Sequence, residues 1–142
     1  MKPVNHDHLE AWREARRVLL ESRKVSVGVL DAFASSVEKW CAGCGDDPLT
    51  SRPIFTFEKG EGSFAVTAVT GQTFRVAVNP DTAKVVIEKG GDSRVADRLK
   101  FEGSEARLVR DERNPKTGRV ESVEIPLVTF WNSWIDAVLA QR

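Results

Sequence analysis

The chain is poor in histidine, the residue on which serine and cysteine nucleophiles depend. Its only histidines are His6 and His8, both within the first ten residues. Catalysis by a serine or cysteine nucleophile needs an imidazole beside it and a third group that orients the imidazole. The sequence contains neither a GxSxG elbow nor a glycine-rich phosphate loop, and no spacing singles out a catalytic pair among its many carboxylates. We therefore expect a protein without catalytic activity.

Excess charge of one sign and long apolar runs are also missing. The 21 Lys and Arg residues balance 21 Asp and Glu residues, so no net charge attracts the chain to nucleic acid or anionic lipid. No apolar run approaches the length of a membrane span. The opening "MKPVNHDHLE" lacks the apolar stretch that follows the basic start of a signal peptide. We expect a cytoplasmic protein that binds no membrane, and the balanced charge argues against binding to nucleic acid.

The size of the chain suits one domain. It has 142 residues, of which 41% are hydrophobic. A chain of this length buries roughly two-thirds of its unfolded surface in a single core. Residues 1–142 are therefore predicted to form one domain.

Two helical patterns open the sequence. In "DHLEAWREARRVLLES", Leu9, Trp12 and Leu19 recur at helical spacing. "SRKVSVGV" interrupts this pattern, and a second helix is predicted from about residue 26 to residue 42. Gly43 is placed to end that helix in the left-handed conformation. Residues 1–45 are therefore predicted to form a helical hairpin that turns near Lys24.

From Ile54 the pattern changes to the alternation typical of strands. Residues 53–125 contain six or seven short strands, separated by turn sequences such as "NPDT" and "RNPKTG". Short turns between consecutive strands predict an antiparallel meander, which can be strongly curved or barrel-like. An amphipathic helix, residues 127–141, is expected to pack on the sheet. The predicted fold class is α+β.

The run of strands followed by "WIDAVLA" resembles the end of pleckstrin-homology-like domains, in which a tryptophan of the C-terminal helix plugs one end of a small barrel. The resemblance implies a curved sheet capped by the last helix. The lipid-binding function of that family is not carried over, because "FEKGEGSF" places one lysine between two glutamates.

Both cysteines lie in "WCAGCG", at the predicted end of the second helix. "WCAGC" resembles the thioredoxin active-site sequence, but that chemistry needs its first cysteine at a helix N-terminus, where the dipole lowers the thiol pKa. "CAGCG" is similar to the knuckle of many zinc sites, and a closed zinc site needs four ligands. A helical hairpin would bring His6 and His8 beside Cys41 and Cys44. A structural zinc ion held by these four residues is one hypothesis, and two packed free thiols are the simpler alternative.

A second candidate surface is the basic sequence "RLVRDERNPKTGR". It contains five cations around a predicted hairpin tip: Arg107, Arg110, Arg113, Lys116 and Arg119. Such a ribbon can contact an acidic partner or a phosphate backbone, although no aromatic side chains interleave to stack on bases. Trp131, in the last helix, is included as a binding residue because tryptophan is enriched at interfaces.

These features favour a small protein-binding module of the adaptor, inhibitor, immunity or chaperone type. One alternative is a ligand-binding or hydrolytic domain, with a cup formed by the curved sheet and the last helix. Another alternative is phosphate-backbone binding through the basic hairpin. A filled core would favour the binding module, and a cup lined by polar residues would favour the ligand-binding domain.

Overall fold

The computed structural model describes residues 6–141 and confirms the α+β class. One long helix, α1, precedes eight antiparallel strands, and a second helix, α2, follows them. Their bounds are α1 His6–Cys44, β1 Phe55–Gly60, β2 Ser63–Ala68, β3 Thr73–Val78, β4 Val85–Lys89, β5 Asp92–Ala96, β6 Arg98–Glu102, β7 Glu105–Arg113, β8 Val120–Pro126 and α2 Leu127–Leu139. Neither helix within residues 6–141 combines the length and the apolarity that crossing a membrane requires.

The predicted helical hairpin is wrong, because α1 is a single helix of 39 residues. At 1.5 Å per residue it is about 58 Å long. Gly28 and the valines around it lower helix propensity by at most about 1 kcal/mol each. The burial of Val29 and Leu30 against the sheets outweighs that cost. The helix ends after Cys44, and Gly45, with φ of 72°, takes the left-handed position predicted for Gly43.

The strands form two sheets of five and three, in the orders β1-β2-β3-β4-β5 and β6-β7-β8. A single residue, Asp97, separates β5 from β6, so the chain passes from one sheet to the other at this bend. The amide of Asp97 donates to the carbonyl of Val109, 2.9 Å away, which ties the bend to β7. Strand β5 was not predicted, because four of its five side chains are exposed and polar residues begin it.

One apolar core joins the second half of α1, the inner faces of both sheets and α2. Phe74 is fully buried near its centre, with ring centroids 5.3 Å from Trp131 and 5.8 Å from Trp134. A buried polar group connects α1 to a sheet: the amide of Leu99 in β6 donates to Ser26 Oγ at 3.0 Å. The inner faces are thus filled by side chains.

Candidate functional site

The structure does not bring the four predicted zinc ligands together. His6 and His8 lie in the first turn of α1, and Cys41 and Cys44 lie in its last turn. About 33 residues of continuous helix place His8 and Cys41 about 50 Å apart. Within residues 6–141, no group of three or more His, Cys, Asp or Glu side chains is placed to hold a metal ion. The site depended on the helical hairpin and is lost with it.

The two cysteines are packed thiols at a helix C-terminus. Cys41 is buried, and burial, together with the neighbouring Cys44, raises its pKa to about 11. Cys44 is partly buried, which also raises its pKa, and its Sγ lies 3.3 Å from the carbonyl oxygen of Trp40. Raised thiol pKa values at a helix C-terminus are the opposite of what a redox or nucleophilic cysteine needs.

The predicted basic hairpin exists, as β7, β8 and the turn between them. Its inner cations are paired with acidic side chains. The guanidinium of Arg107 lies 2.8 Å from Glu105 and 3.6 Å from Glu124, and that of Arg110 pairs with Glu112. Three cations stay exposed at the outer end of the ribbon: Arg113, Lys116 and Arg119. The ribbon is therefore a mixed-charge surface with a short basic tip.

Trp131 does not offer a free binding surface. Its side chain is buried, and its ring packs edge-on against Trp40, with centroids 5.5 Å apart. Together with Phe33, Val37 and Ile135 it lines a shallow groove between α1 and α2. Its position identifies Trp131 as a core residue at the base of that groove.

The N-terminal half of α1 is the most exposed element among the described residues. Of the nineteen side chains in residues 6–24, which we call the arm, only Leu9, Ser22 and Arg23 are half-buried, and the others are exposed. The anchored half of the helix begins at Ser26, which is fully buried. The arm therefore projects beyond the core that holds the rest of α1.

Three ion pairs run along the arm at a spacing of three residues: Glu10 with Arg13, Glu14 with Arg17, and Glu21 with Lys24. Each pair is exposed, and such pairs add roughly 0.2–0.5 kcal/mol to an isolated helix. These pairs and the continuity with the anchored half keep the arm helical.

One face of the arm is apolar. Leu9, Trp12, Leu19 and Leu20 fall within about 100° of one another around the helix. Trp12 is 61% exposed, and the guanidinium carbon of Arg16 lies 5.8 Å from the centroid of its ring. This face continues the stripe with which the second half of α1 covers the core. Along the arm, this apolar face lies beyond the sheets.

Among the described residues outside α1, only the β3–β4 turn forms hydrogen bonds with the arm. Arg16 donates to the carbonyl of Asp81 at 3.2 Å, and Arg23 donates to that of Pro80 at 3.1 Å. A hollow of about 80 Å³ lies between the turn and the arm, lined by Arg16, Leu19, Leu20, Arg23, Pro80, Asp81 and Ala83. The hollow opens two turns of helix away from Trp12.

An apolar cleft lies between the inner faces of the two sheets, where β5 and β7 separate. It has a volume of about 110 Å³, and its walls include Ile87, Leu108, Ile125 and Phe130. Arg94 also lines the cleft and stacks over the ring of Phe130, at 5.8 Å from the centroid. The cup predicted for the ligand-binding alternative is filled apart from small spaces of this kind.

Comparison with known proteins finds no matching family model, no matching curated protein and no matching solved structure. The candidate site therefore depends on the geometry of this chain alone. The sequence places Leu9, Trp12 and Leu19 on one helix face, but it did not show that this face is exposed. No signal in "SRKVSVGV" showed that the helix continues through it, so the length of α1, which exceeds what the sheets cover, was not predicted.

Proposed function

We propose that this protein is a non-catalytic protein-binding module, of the adaptor, inhibitor or immunity type, and that the arm is its binding surface. The observation that carries the proposal is the exposure of Trp12, 61%, on an apolar helix face that projects from a filled core. An amphipathic helix that docks its apolar face on a partner is a common mode of protein recognition.

The residue types of the arm suit this role. Tryptophan and arginine are the side chains that most often dominate binding energy at protein interfaces. Trp12 and Arg16 lie one turn apart on the same face, and Leu9 and Leu19 flank them. An isolated helix of this length is marginally stable in water. Anchoring through the second half of α1 supplies a preformed helix, which lowers the entropic cost of docking.

The basic hairpin is the weaker candidate surface. Arg107 and Arg110 already pair with carboxylates of the same ribbon. Only the outer cations, Arg113, Lys116 and Arg119, are placed to meet an acidic partner. Exposed ion pairs contribute little to affinity, whereas an apolar helix face supplies the burial on which stable association depends.

Affinity capture with three matched baits tests the proposal. The wild-type chain, Trp12→Ala and Leu49→Ala are immobilised and exposed to lysate of the source cells. Leu49 is 91% exposed in a loop and controls for the loss of any exposed apolar side chain. We expect wild type and Leu49→Ala to retain the same partner chain, and Trp12→Ala to release it. Equal retention by all three baits would contradict the proposal.

A fourth bait, Arg113→Glu/Lys116→Glu/Arg119→Glu, separates the two surfaces. The proposal predicts that this bait retains the partner as wild type does. Loss of the partner from this bait alone would show that the binding surface is the hairpin and not the arm.

A second candidate function, ligand binding, is favoured by the cleft between the sheets. Its apolar walls and Arg94 at its edge suit a small apolar carboxylate. A cavity of about 150 Å³ holds benzene, so this smaller cleft, of about 110 Å³, suits a short aliphatic carboxylate and not an aromatic one. Butyrate titrated into the wild-type protein should shift the amide resonances of Ile87 and Leu108, and the absence of any shift at millimolar butyrate would exclude this function for ligands of that class.

A further inference from the structure

We infer that the arm binds a second copy of this chain, in an antiparallel pairing of the two arms. The inference rests on the proposed function, because it identifies the partner of the same surface. It goes beyond that proposal by stating which chain occupies the surface and in which direction.

The charge of the arm is divided along its length. Residues 6–15 contain three acidic side chains and one basic one, and residues 16–24 contain four basic side chains and one acidic one. The two halves thus have net charges of −2 and +3 with neutral histidines. An antiparallel pair places each acidic half against a basic half, and a parallel pair places like charges together. Charge complementarity of this kind determines the direction of helix pairing.

The apolar contacts of the arm are also complementary to themselves. In an antiparallel pair with its two-fold axis beside Arg16, Trp12 of one copy lies opposite Leu19 and Leu20 of the second copy. These two leucines line the hollow beneath Pro80. On each chain the indole of Trp12 and the hollow at Leu19 and Leu20 are two turns apart. In the pair, the indole of each copy meets the hollow of the other copy, so the contact is made twice.

Arg16 lies near the proposed axis, where two like charges would otherwise face each other. Its guanidinium is held within its own copy, by the carbonyl of Asp81 at 3.2 Å and over the ring of Trp12. Ala15 beside it is small, which lets the two helices approach. The axis is therefore compatible with close contact.

The size of the contact predicts its strength. The 19-residue arm is about 28 Å long, so the pair buries an area near or below the lower limit of standard interfaces, about 1,200 Å². Interfaces of this size belong to weak or transient complexes. We therefore expect a dimer with a micromolar dissociation constant, in reversible exchange with the monomer.

Sedimentation equilibrium from about 1 to 500 μM protein tests the inference. The wild-type chain should pass from monomer to dimer over this range. Trp12→Ala should raise the dissociation constant at least about tenfold, and Leu49→Ala should leave it unchanged. Circular dichroism verifies that the variants keep their helix content.

Charge reversal tests the direction. The fourfold variant Glu10→Lys/Glu14→Lys/Arg17→Glu/Lys24→Glu exchanges the charges of the two halves of the arm, which become +2 and −1. An antiparallel dimer predicts that this variant dimerises with itself and does not pair with the wild-type chain, whereas a parallel dimer predicts that the variant and the wild-type chain pair with each other. Glu38→Lys, on the anchored half of the same helix, is the matched control and should dimerise as wild type does.

The possible failures are distinguishable. A wild-type chain that stays monomeric at about 500 μM overturns the antiparallel dimer. A dimer that Trp12→Ala leaves intact, or pairing between the charge-exchanged variant and the wild-type chain, also overturns it. If such a monomeric chain still captures another protein through Trp12, the dimer is overturned and the protein-binding function stands. If it captures nothing through Trp12, both proposals fail.

Discussion

Ser26 in α1 accepts a hydrogen bond from the amide of Leu99 in β6, with 3.0 Å between oxygen and nitrogen. Ser26 is fully buried and Leu99 nearly so, at 1% exposure. Strand β6 is an edge of the three-stranded sheet, so its outward amides have no neighbouring strand. The hydroxyl supplies the missing acceptor, and it marks where the exposed arm becomes the anchored half of the helix.

Removing this hydroxyl should destabilise the fold. Ser26→Ala leaves the buried amide of Leu99 without an acceptor, which costs about 1–3 kcal/mol. Urea unfolding followed by circular dichroism measures the change. Ser35→Ala, at an exposed position of the same helix, is the control and should change stability by less than about 0.5 kcal/mol. Equal stability of the two variants would show that the hydrogen bond is not made.

The aromatic centre of the core should be far more sensitive than the surface. Phe74 is fully buried and its ring contacts those of Phe64, Trp131 and Trp134. Phe74→Ala should cost about 3–5 kcal/mol, through lost burial and the cavity it leaves. Phe101→Ala, at a position 46% exposed, should cost far less. Unfolding midpoints of the two variants in urea measure the difference, and similar midpoints would contradict the assigned core.

The arm should be dispensable for folding. Of the side chains in residues 1–15 that the structure describes, all but Leu9 are exposed, so deleting residues 1–15 should leave the unfolding midpoint of the monomer in urea within error of wild type. Deleting residues 1–30 also removes Ser26, Val29 and Leu30 and should prevent folding. A marked loss of stability in the shorter deletion would place the arm against the core instead of in solvent.

Alkaline pH should destabilise the protein through Cys41. Burial raises the pKa of its thiol from 9.0 to about 11. Between these values the unfolded chain releases a proton that the folded chain retains, so unfolding becomes more favourable as pH rises from 9 to 11. The contribution of the protonated Cys41 thiol to the free energy of unfolding is fully present below pH 9 and is lost as pH rises through 11.

Urea unfolding at pH 8, 9 and 10 measures this dependence. Cys41→Ala should be less stable than wild type at pH 8 and should lose less stability on the way to pH 10. Cys44→Ala, which removes the more exposed thiol, should keep most of the wild-type dependence. If wild type and Cys41→Ala lost stability equally between pH 8 and pH 10, groups other than Cys41 would be the cause.

The sequence predicted the local elements better than their connection. Alternation identified seven of the eight strands, and the "NPDT" turn joins β3 to β4 as expected. There, Asn79 Oδ1 accepts from the amide of Asp81 at 2.8 Å, a contact within the turn itself. Strand β5 was missed because an exposed edge strand has no buried face to produce alternation. Features with local causes were predictable.

The candidate site was not predictable for a physical reason. "SRKVSVGV" has low helix propensity, and only packing of Val29 and Leu30 against the sheets keeps α1 continuous there. That packing depends on residues more than 25 positions away. The error created a zinc site from residues about 50 Å apart. It also folded residues 6–24 back beside the second half of α1, whereas in the structure they project from the core and leave Trp12 exposed. A missed tertiary contact therefore changed both the predicted site and the predicted surface.

The environment of Trp12 tests the central claim, that the arm is the interaction surface, most directly. Fluorine NMR of protein labelled with 5-fluorotryptophan gives one resonance for each of the four tryptophans, and Trp12→Phe assigns that of Trp12. When protein concentration is raised, or the captured partner is added, the Trp12 resonance should shift and lose its sensitivity to D₂O, while those of the buried Trp131 and Trp134 stay constant. Complex formation with an unchanged, solvent-sensitive Trp12 resonance would contradict the account.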